Sequence, residues 1–236
     1  MKNTSGKNNV RVRYNRELNR LESGELNSVE QNLFFYICSR VREHQDEIVE
    51  MSFDSIRKNA NFTAHGDKAL ANKLKIVNHK LLSLNYEYIM SDGITIIGSI
   101  FNTFVINEKT RVLSVRVNKD LLFLLNGLEG NFTEWELREF TSIKSEYSKR
   151  LYRYCTEWKS IGNTPMYSAS EMKGILGLPE DYENKKLVAK ILNPACEDMA
   201  SYFSFFEMHT KRASEKGAPI VGFSFSFSPI RVATTS

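Results

Sequence analysis

The chain has 236 residues, enough for one large or two small domains. Hydrophobic residues make up 42% and charged residues 25%, as is ordinary for a soluble globular protein. A formal net charge of +4 permits a polyanionic partner without requiring one, and no apolar run approaches the length of a membrane span.

Residues 1–9, MKNTSGKNN, are polar and lack the apolar segment of a secretory signal, so they read as a flexible tail. Val10, Val12 and Tyr14 then alternate with Arg11 and Arg13, the pattern of a short strand or extended arm. Ser28 with Gln31 three residues on has the spacing of a capping box, followed by a buried stripe of Val29, Leu33, Tyr36, Ile37 and Val41. Ser52 is positioned to cap a short helix through Phe53, Ile56 and Asn59, and NFTAHGD makes a turn. A longer helix over Asp67 to Ser83 buries Leu70, Leu74, Val77 and Leu81. Its outer face carries Lys68, Asn72, Lys75 and His79. Two strands, Tyr86 to Met90 and Ile94 to Ile97, flank Ser-Asp-Gly, a strong hairpin signal. Phe101 to Ile106 and Arg111 to Val117 extend the sheet, and a short helix over Lys119 to Leu125 closes this half. Three helices followed by a hairpin is the order of a winged helix.

Asn126 to Asn131, with two glycines, marks a boundary between a first domain over residues 10–125 and a second over 132–236. The second half repeats the order. A helix runs from about Ser142 to Trp158, with Ile143, Tyr147, Leu151, Tyr154, Cys155 and Trp158 inward. Ser168 or Ser170 caps a short helix to Leu176, and Gly177 to Asp181 is a turn. The third helix, Tyr182 to Ser201, buries Leu187, Val188, Ile191, Leu192, Ala195 and Met199, and faces Lys186, Ala189, Lys190, Asn193 and Glu197 outward. Pro194 is expected to kink it, unless the helix ends at Asn193 and another begins. Tyr202 to Met208 and the alternating Phe223, Phe225 and Phe227 form a wing whose tip carries Lys211, Arg212 and Lys216. The expected fold class is therefore α+β, two tandem winged-helix domains.

Catalytic chemistry is not visible. The four histidines form neither His-x-His nor His-Glu-x-x-His, so no metal site is expected. Phosphate-binding Gly-x-x-x-x-Gly-Lys and Gly-x-Ser-x-Gly loops are missing, so neither a nucleotide cofactor nor a serine hydrolase is indicated. Glu180-Asp181 and Glu197-Asp198 read as surface and capping acids. The three cysteines, Cys38, Cys155 and Cys196, have no close-spaced partners and read as buried, reduced thiols of a cytoplasmic protein. No cofactor is expected.

Basic faces recur in both halves, and this favours double-stranded DNA as partner. Lysine and arginine neutralise phosphates, while Asn and Lys on a recognition helix reach base edges. The candidate contacts are Lys68, Asn72 and Lys75 in the first half, and Lys144, Lys149, Arg150 and Arg153 on the first helix of the second half. On the second half's third helix they are Lys185, Lys186, Lys190 and Asn193, with Lys211 and Arg212 on the wing.

From Val10 to Phe227 the chain resembles the replication initiators (Rep proteins) of theta-replicating plasmids with iteron origins. That family typically shows a Tyr-Ser-x-Arg-Leu-Tyr segment, a helix ending in Leu-Gly, then a tyrosine and a helix with a central proline and alanine. Here these are Tyr147, Ser148, Arg150, Leu151 and Tyr152, then Leu176, Gly177, Tyr182, Pro194 and Ala195. YNREL and the Glu30-Gln31 pair extend the similarity into the first half. Lys149 departs from it, since many relatives carry an apolar residue there. The resemblance implies two winged-helix domains, binding to repeated origin sites chiefly through the second, and recruitment of host replication proteins. It also implies self-association of monomers into dimers, mainly through the first domain, that repress the initiator's own gene. A tandem winged-helix transcription regulator is the alternative from the residues alone. A rolling-circle nickase would need a metal-binding histidine pair that the sequence does not offer; a primase is the other enzyme alternative.

Overall fold

The computed structural model describes residues 10–20, 25–83, 86–89, 93–130, 132–213 and 218–229. The expected tail, Lys216, and the Met90, Ser91 and Asp92 part of the first hairpin lie outside them.

The chain opens with strand β1 (Arg11–Asn15) and a single helical turn, α1 (Glu17–Arg20). Helix α2 (Ser28–Val41) follows. Its cap is one residue earlier than the Ser-x-x-Gln spacing suggests. The Asn27 side chain accepts from the N–H groups of Val29 and Glu30, and the Glu30 carboxylate accepts from the Asn27 N–H, so the box is Asn27 and Glu30. Strand β2 (Val49–Ser52) leads into α3 (Phe53–Asn59), capped by Ser52 as expected. Helix α4 (Asp67–Ser83) has the expected bounds and buries Leu70, Ala71, Leu74, Val77 and Leu81. Strands β3 (Tyr86–Ile89) and β4 (Thr95–Gly98) pair as a separate two-stranded ribbon instead of joining the larger sheet. Strands β5 (Phe101–Asn107) and β6 (Val112–Val117) join β2 in the order β2-β6-β5.

The second half begins with β7 (Phe132–Glu136), α5 (Leu137–Ser142) and α6 (Glu146–Glu157). The single helix expected from Ser142 is thus two. The chain leaves helical geometry at Ile143, and Ser145 caps a new start by accepting from the Ser148 N–H. Strand β8 (Tyr167–Ser168) and α7 (Ala169–Leu176) come next, with Ser168 and Glu171 forming a capping box. Gly177 ends α7 with a φ of 64°, a left-handed turn that glycine adopts without a Cβ penalty. The third helix, α8, is continuous through Asn184–Lys186, Leu187–Leu192 and Asn193–Met199, its middle segment wound as a π turn. Strands β9 (Phe203–Arg212) and β10 (Ile220–Pro229) complete the sheet β8-β10-β9.

Two winged helices emerge with one topology. In each, a short strand after the first helix pairs with the second strand of the wing, β2 with β6 and β8 with β10. A serine ending that strand caps the second helix, Ser52 in one half and Ser168 in the other. The halves are not separable at residues 126–131. Strand β1 pairs antiparallel with β7 across that boundary, setting Val12 opposite Trp135 and Tyr14 opposite Thr133. Trp135 stacks on Phe140 at 4.4 Å between centroids and meets Phe35 edge-on at 5.2 Å. The Trp135 indole N–H donates to the Tyr14 hydroxyl at 3.3 Å. Asn126 and Leu128 are themselves buried, so the intervening stretch is packed. The apolar core runs through both halves, because β1 brings Val12 and Tyr14 into the layer beneath α2 and α6.

Candidate nucleic-acid interface

Helix α8 is anchored at both ends. The Asn184 side-chain amide donates to the Ile220 carbonyl at 3.1 Å, tying its start to the tip end of the wing, where Ile220 faces Arg212. Leu187, Ile191, Leu192, Ala195 and Met199 are buried. Lys186, Ala189, Lys190, Asn193 and Glu197 face solvent, as the periodicity predicts, and so do Lys185 and Pro194. Lys186 makes one ion pair, to Glu183 at 3.0 Å, in which the two side chains are 64% and 53% exposed. Such a pair is screened by water and yields readily to a phosphate. Asn184 is the positioning residue that sequence reasoning missed. Its role depends on a backbone carbonyl 36 residues away, which leaves no local signal.

The wing continues this surface. Ile220 pairs with Arg212 and Gly222 with Lys211, so the Asn184 bond joins α8 to the strand that faces both cations. Arg212 donates to the Ala218 carbonyl at 3.1 Å, and Lys211 is exposed. Lys144 is exposed just before α6, on the rim of an open groove it shares with Asn27, Phe62 and Lys73. Lysines 185, 186 and 190, Asn193, Lys211 and Arg212 therefore form one basic face in the second half.

Lys149, Arg150 and Arg153 do not belong to it. Their exposures are 0%, 1% and 1%, so the expectation that they meet DNA is corrected. Helix α6 lies between the two halves and is covered on nearly every side, so its polar stripe faces α2 instead of solvent. The Lys149 ammonium donates to Asn32 Oδ1 at 2.6 Å and to the Phe140 carbonyl at 2.5 Å, and sits 4.2 Å from the Phe140 ring centroid. Burial pushes it down to about 7. Arg150 donates to the Leu26 carbonyl at 3.1 Å and to the Leu176 carbonyl, joining the halves. Burial also lowers its guanidinium from the ordinary value. Arg153 lies 4.9 Å over the Phe35 ring. These cations meet carbonyls, an amide and aromatic faces, and hold the seam.

In the first half Lys68 and Asn72 are exposed on α4, while its Lys73, Lys75 and Lys80 each meet a carboxylate. Lys75 pairs with Glu108 at 3.1 Å. Lys73 and Lys80 reach the buried Glu30 at 3.3 and 2.8 Å. Burial alone would push the Glu30 carboxyl up, but hydrogen bonds from Lys80, the Asn27 N–H and Lys73 outweigh it and hold the group below its ordinary value. Arg111 pairs with Asp54 at 2.6 Å and Asp67 at 2.8 Å, fixing the start of α4 with acids. Among the described residues no cluster of His, Cys, Asp and Glu could hold a metal, and no helix is long and apolar enough to cross a membrane. Cys38, Cys155 and Cys196 are free thiols, the first two buried and Cys196 partly so.

Residues 11–156 match the family described as Initiator Replication protein, WH1. This chain belongs to the initiator replication protein family. The family match runs past residues 126–131 into α6, as the β1–β7 pairing does. A relative described as "Probable replication protein rep" from Bifidobacterium longum (strain NCC 2705) is 35% identical over 155 residues. That covers 64% of this chain and 51% of the relative, so the chain spans about half the length of the curated relative it matches. Among solved structures, the Pi initiator protein in complex with iteron DNA superposes with a TM-score of 0.73 at 16% identity, covering 94% of this chain and 98% of its own. The initiator fold is therefore shared over nearly the whole length. RctB domains 2-3 overlap more loosely, with a TM-score of 0.43 at 9% identity, covering 84% of this chain and 81% of theirs.

Proposed function

We propose that the chain is a plasmid replication initiator that binds repeated duplex sites at its origin, with the second half making the dominant contacts. The observation that carries this is the face of Lys185, Lys186, Lys190 and Asn193 on α8, tied through Asn184 to a basic wing. Lysines there neutralise phosphates, and Asn193 has the hydrogen-bonding groups to read a base edge. Membership of the initiator family and the fold shared with an initiator described in complex with iteron DNA support the same reading. Self-association through the first half, repression of its own gene, recruitment of host replication proteins and a cytoplasmic location go with it.

Footprinting on the plasmid's origin region tests this reading. Protection should fall at regularly spaced direct repeats, and uniform or absent protection would overturn it. The chain acts by binding and catalyses nothing. Supercoiled origin plasmid incubated with it and Mg²⁺ or Mn²⁺ should stay supercoiled, and open circles above a mock preparation would refute that.

A further inference from the structure

Helix α8 has an unusual period. Along it, exposed pairs recur at 185/186, 189/190, 193/194 and 197/198, and the residues following each pair, Leu187, Ile191, Ala195 and Met199, are buried. This is a strict four-residue repeat. In a regular α-helix each step of four overshoots a turn by about 40°, so the stripe would wander by about 120° along the helix. The structure removes that drift by widening the turn over Leu187–Leu192, where the Asn193 N–H donates five residues back, to the Val188 carbonyl. Backbone angles at both junctions stay right-handed helical, so the helix is rewound without being broken.

Pro194 follows Asn193, the residue whose N–H closes the widened turn. In an α-helix residue 194 would donate to the Lys190 carbonyl. Proline has no N–H, and its ring would press on that carbonyl. A widened turn eases the crowding between that ring and the preceding turn, and such turns cluster at functional sites. The consequence falls on the outer surface: Lys185, Ala189 and Asn193 make one straight row, and Lys186, Lys190 and Pro194 the next.

We propose that Pro194 is a specificity-determining positioning residue. By locking the π turn it fixes the rotation of α8, so that Asn193 stands in line with the lysines that engage the backbone. Pro194 itself needs no base contact. The proposal rests on the DNA-binding reading and adds that discrimination between sequences depends on the winding of the helix.

The test is a selection of binding sites from a randomised duplex library, run on the full chain and on Pro194→Ala, Asn193→Ala, their double mutant and Lys186→Ala/Lys190→Ala. Pro194 is exposed, so alanine leaves no cavity, and circular dichroism verifies folding. Pro194→Ala should lose roughly tenfold in discrimination at the base pair that Asn193→Ala also relaxes, while its salt dependence stays that of the parent. The double mutant should lose no more than either single change, because both act on one contact. A Pro194→Ala chain that selects the parent's sites with the parent's discrimination overturns the proposal, provided Asn193→Ala or the lysine pair has an effect. If the parent selects no preferred site, or neither Asn193→Ala nor the lysine pair changes binding, the DNA-reading role of α8 has failed instead.

Discussion

The two winged helices share a topology and differ in what they show to solvent. On the third helix of the first half, α4, Lys73 and Lys80 reach the buried Glu30, while Lys75 shares an exposed pair with Glu108 and Lys68 is exposed. Its companion ribbon exposes apolar side chains instead. Ile89 and Ile97 lie on one face of β3–β4 and are 65% and 66% exposed. In the second half α8 leaves its lysines in solvent and the wing carries Lys211 and Arg212. One scaffold thus presents exposed isoleucines at one end and a basic face at the other, and the α4 lysines drawn to a buried carboxylate have no described counterpart on α8. A third set of cations, on α6, is buried between them. Lysine or arginine count alone says nothing about which of these roles a helix has.

The largest effect should come from the buried set. Arg150→Ala removes the donor to the Leu26 and Leu176 carbonyls. It should cost about 3 kcal/mol or more in urea unfolding, since a buried acceptor is stranded and a large side chain lost. Lys190→Ala, on the exposed face, should leave the transition nearly in place. Similar losses from both would erase the distinction between seam and surface.

Lys149 sharpens the same contrast through pH. Burial pushes its ammonium down from 10.5 to about 7. Between those values the unfolded chain holds a proton that the fold sheds, so stability rises with pH. Burial pushes Cys38 and Tyr14 up from 9.0 and 10.0, and above about pH 9 they oppose the trend. Stability should therefore climb between about pH 7 and 9, by at most roughly 1.4 kcal/mol per unit. Lys149→Met should flatten this rise, and urea midpoints across that range measure it. A parent curve that falls with pH would contradict the assignment.

The exposed ribbon should show its effect in association. Ile89→Lys/Ile97→Lys charges the face shared by both residues and should weaken self-association by about tenfold or more in sedimentation. Folding should be unaffected, because Tyr88, packed against the Phe123 ring at 4.6 Å between centroids, faces the core from the same strand. Whole chains are needed, since β1 and β7 span the two halves. An unchanged association constant would move the self-contact elsewhere.

Much of this was legible in the sequence. The bounds of α4, the Ser52 cap, the pairing of β3 with β4 and the outer face of α8 follow from local rules. What was not legible depends on partners distant in sequence. Periodicity assumes that a helix has one buried side, and α6 has several. Tyr152, about 140° around the helix from Tyr147, was the sign that apolar residues lay on more than one side, and it is 3% exposed. Strand β7 reads FTEWE, with Thr133 and Trp135 inward, but its partner β1 lies more than a hundred residues earlier. The capping box at Asn27 and Glu30 was hidden by a neighbouring serine with equally plausible spacing. The four-residue repeat of α8 was present in the sequence, but counting at 100° per residue smoothed it into an ordinary amphipathic pattern.

The division of labour between the halves is tested most directly by one salt titration. Binding to the footprinted origin repeat is measured at several salt concentrations for the parent, Lys186→Ala/Lys190→Ala and Lys68→Ala/Lys75→Ala. Removing two phosphate contacts from α8 should flatten the slope of log K against log salt by about 2. The α4 pair should leave the slope close to the parent's. A folded Lys186→Ala/Lys190→Ala chain with the parent's affinity and slope, or a larger change from the α4 pair, would contradict the placement of the dominant DNA contact on α8.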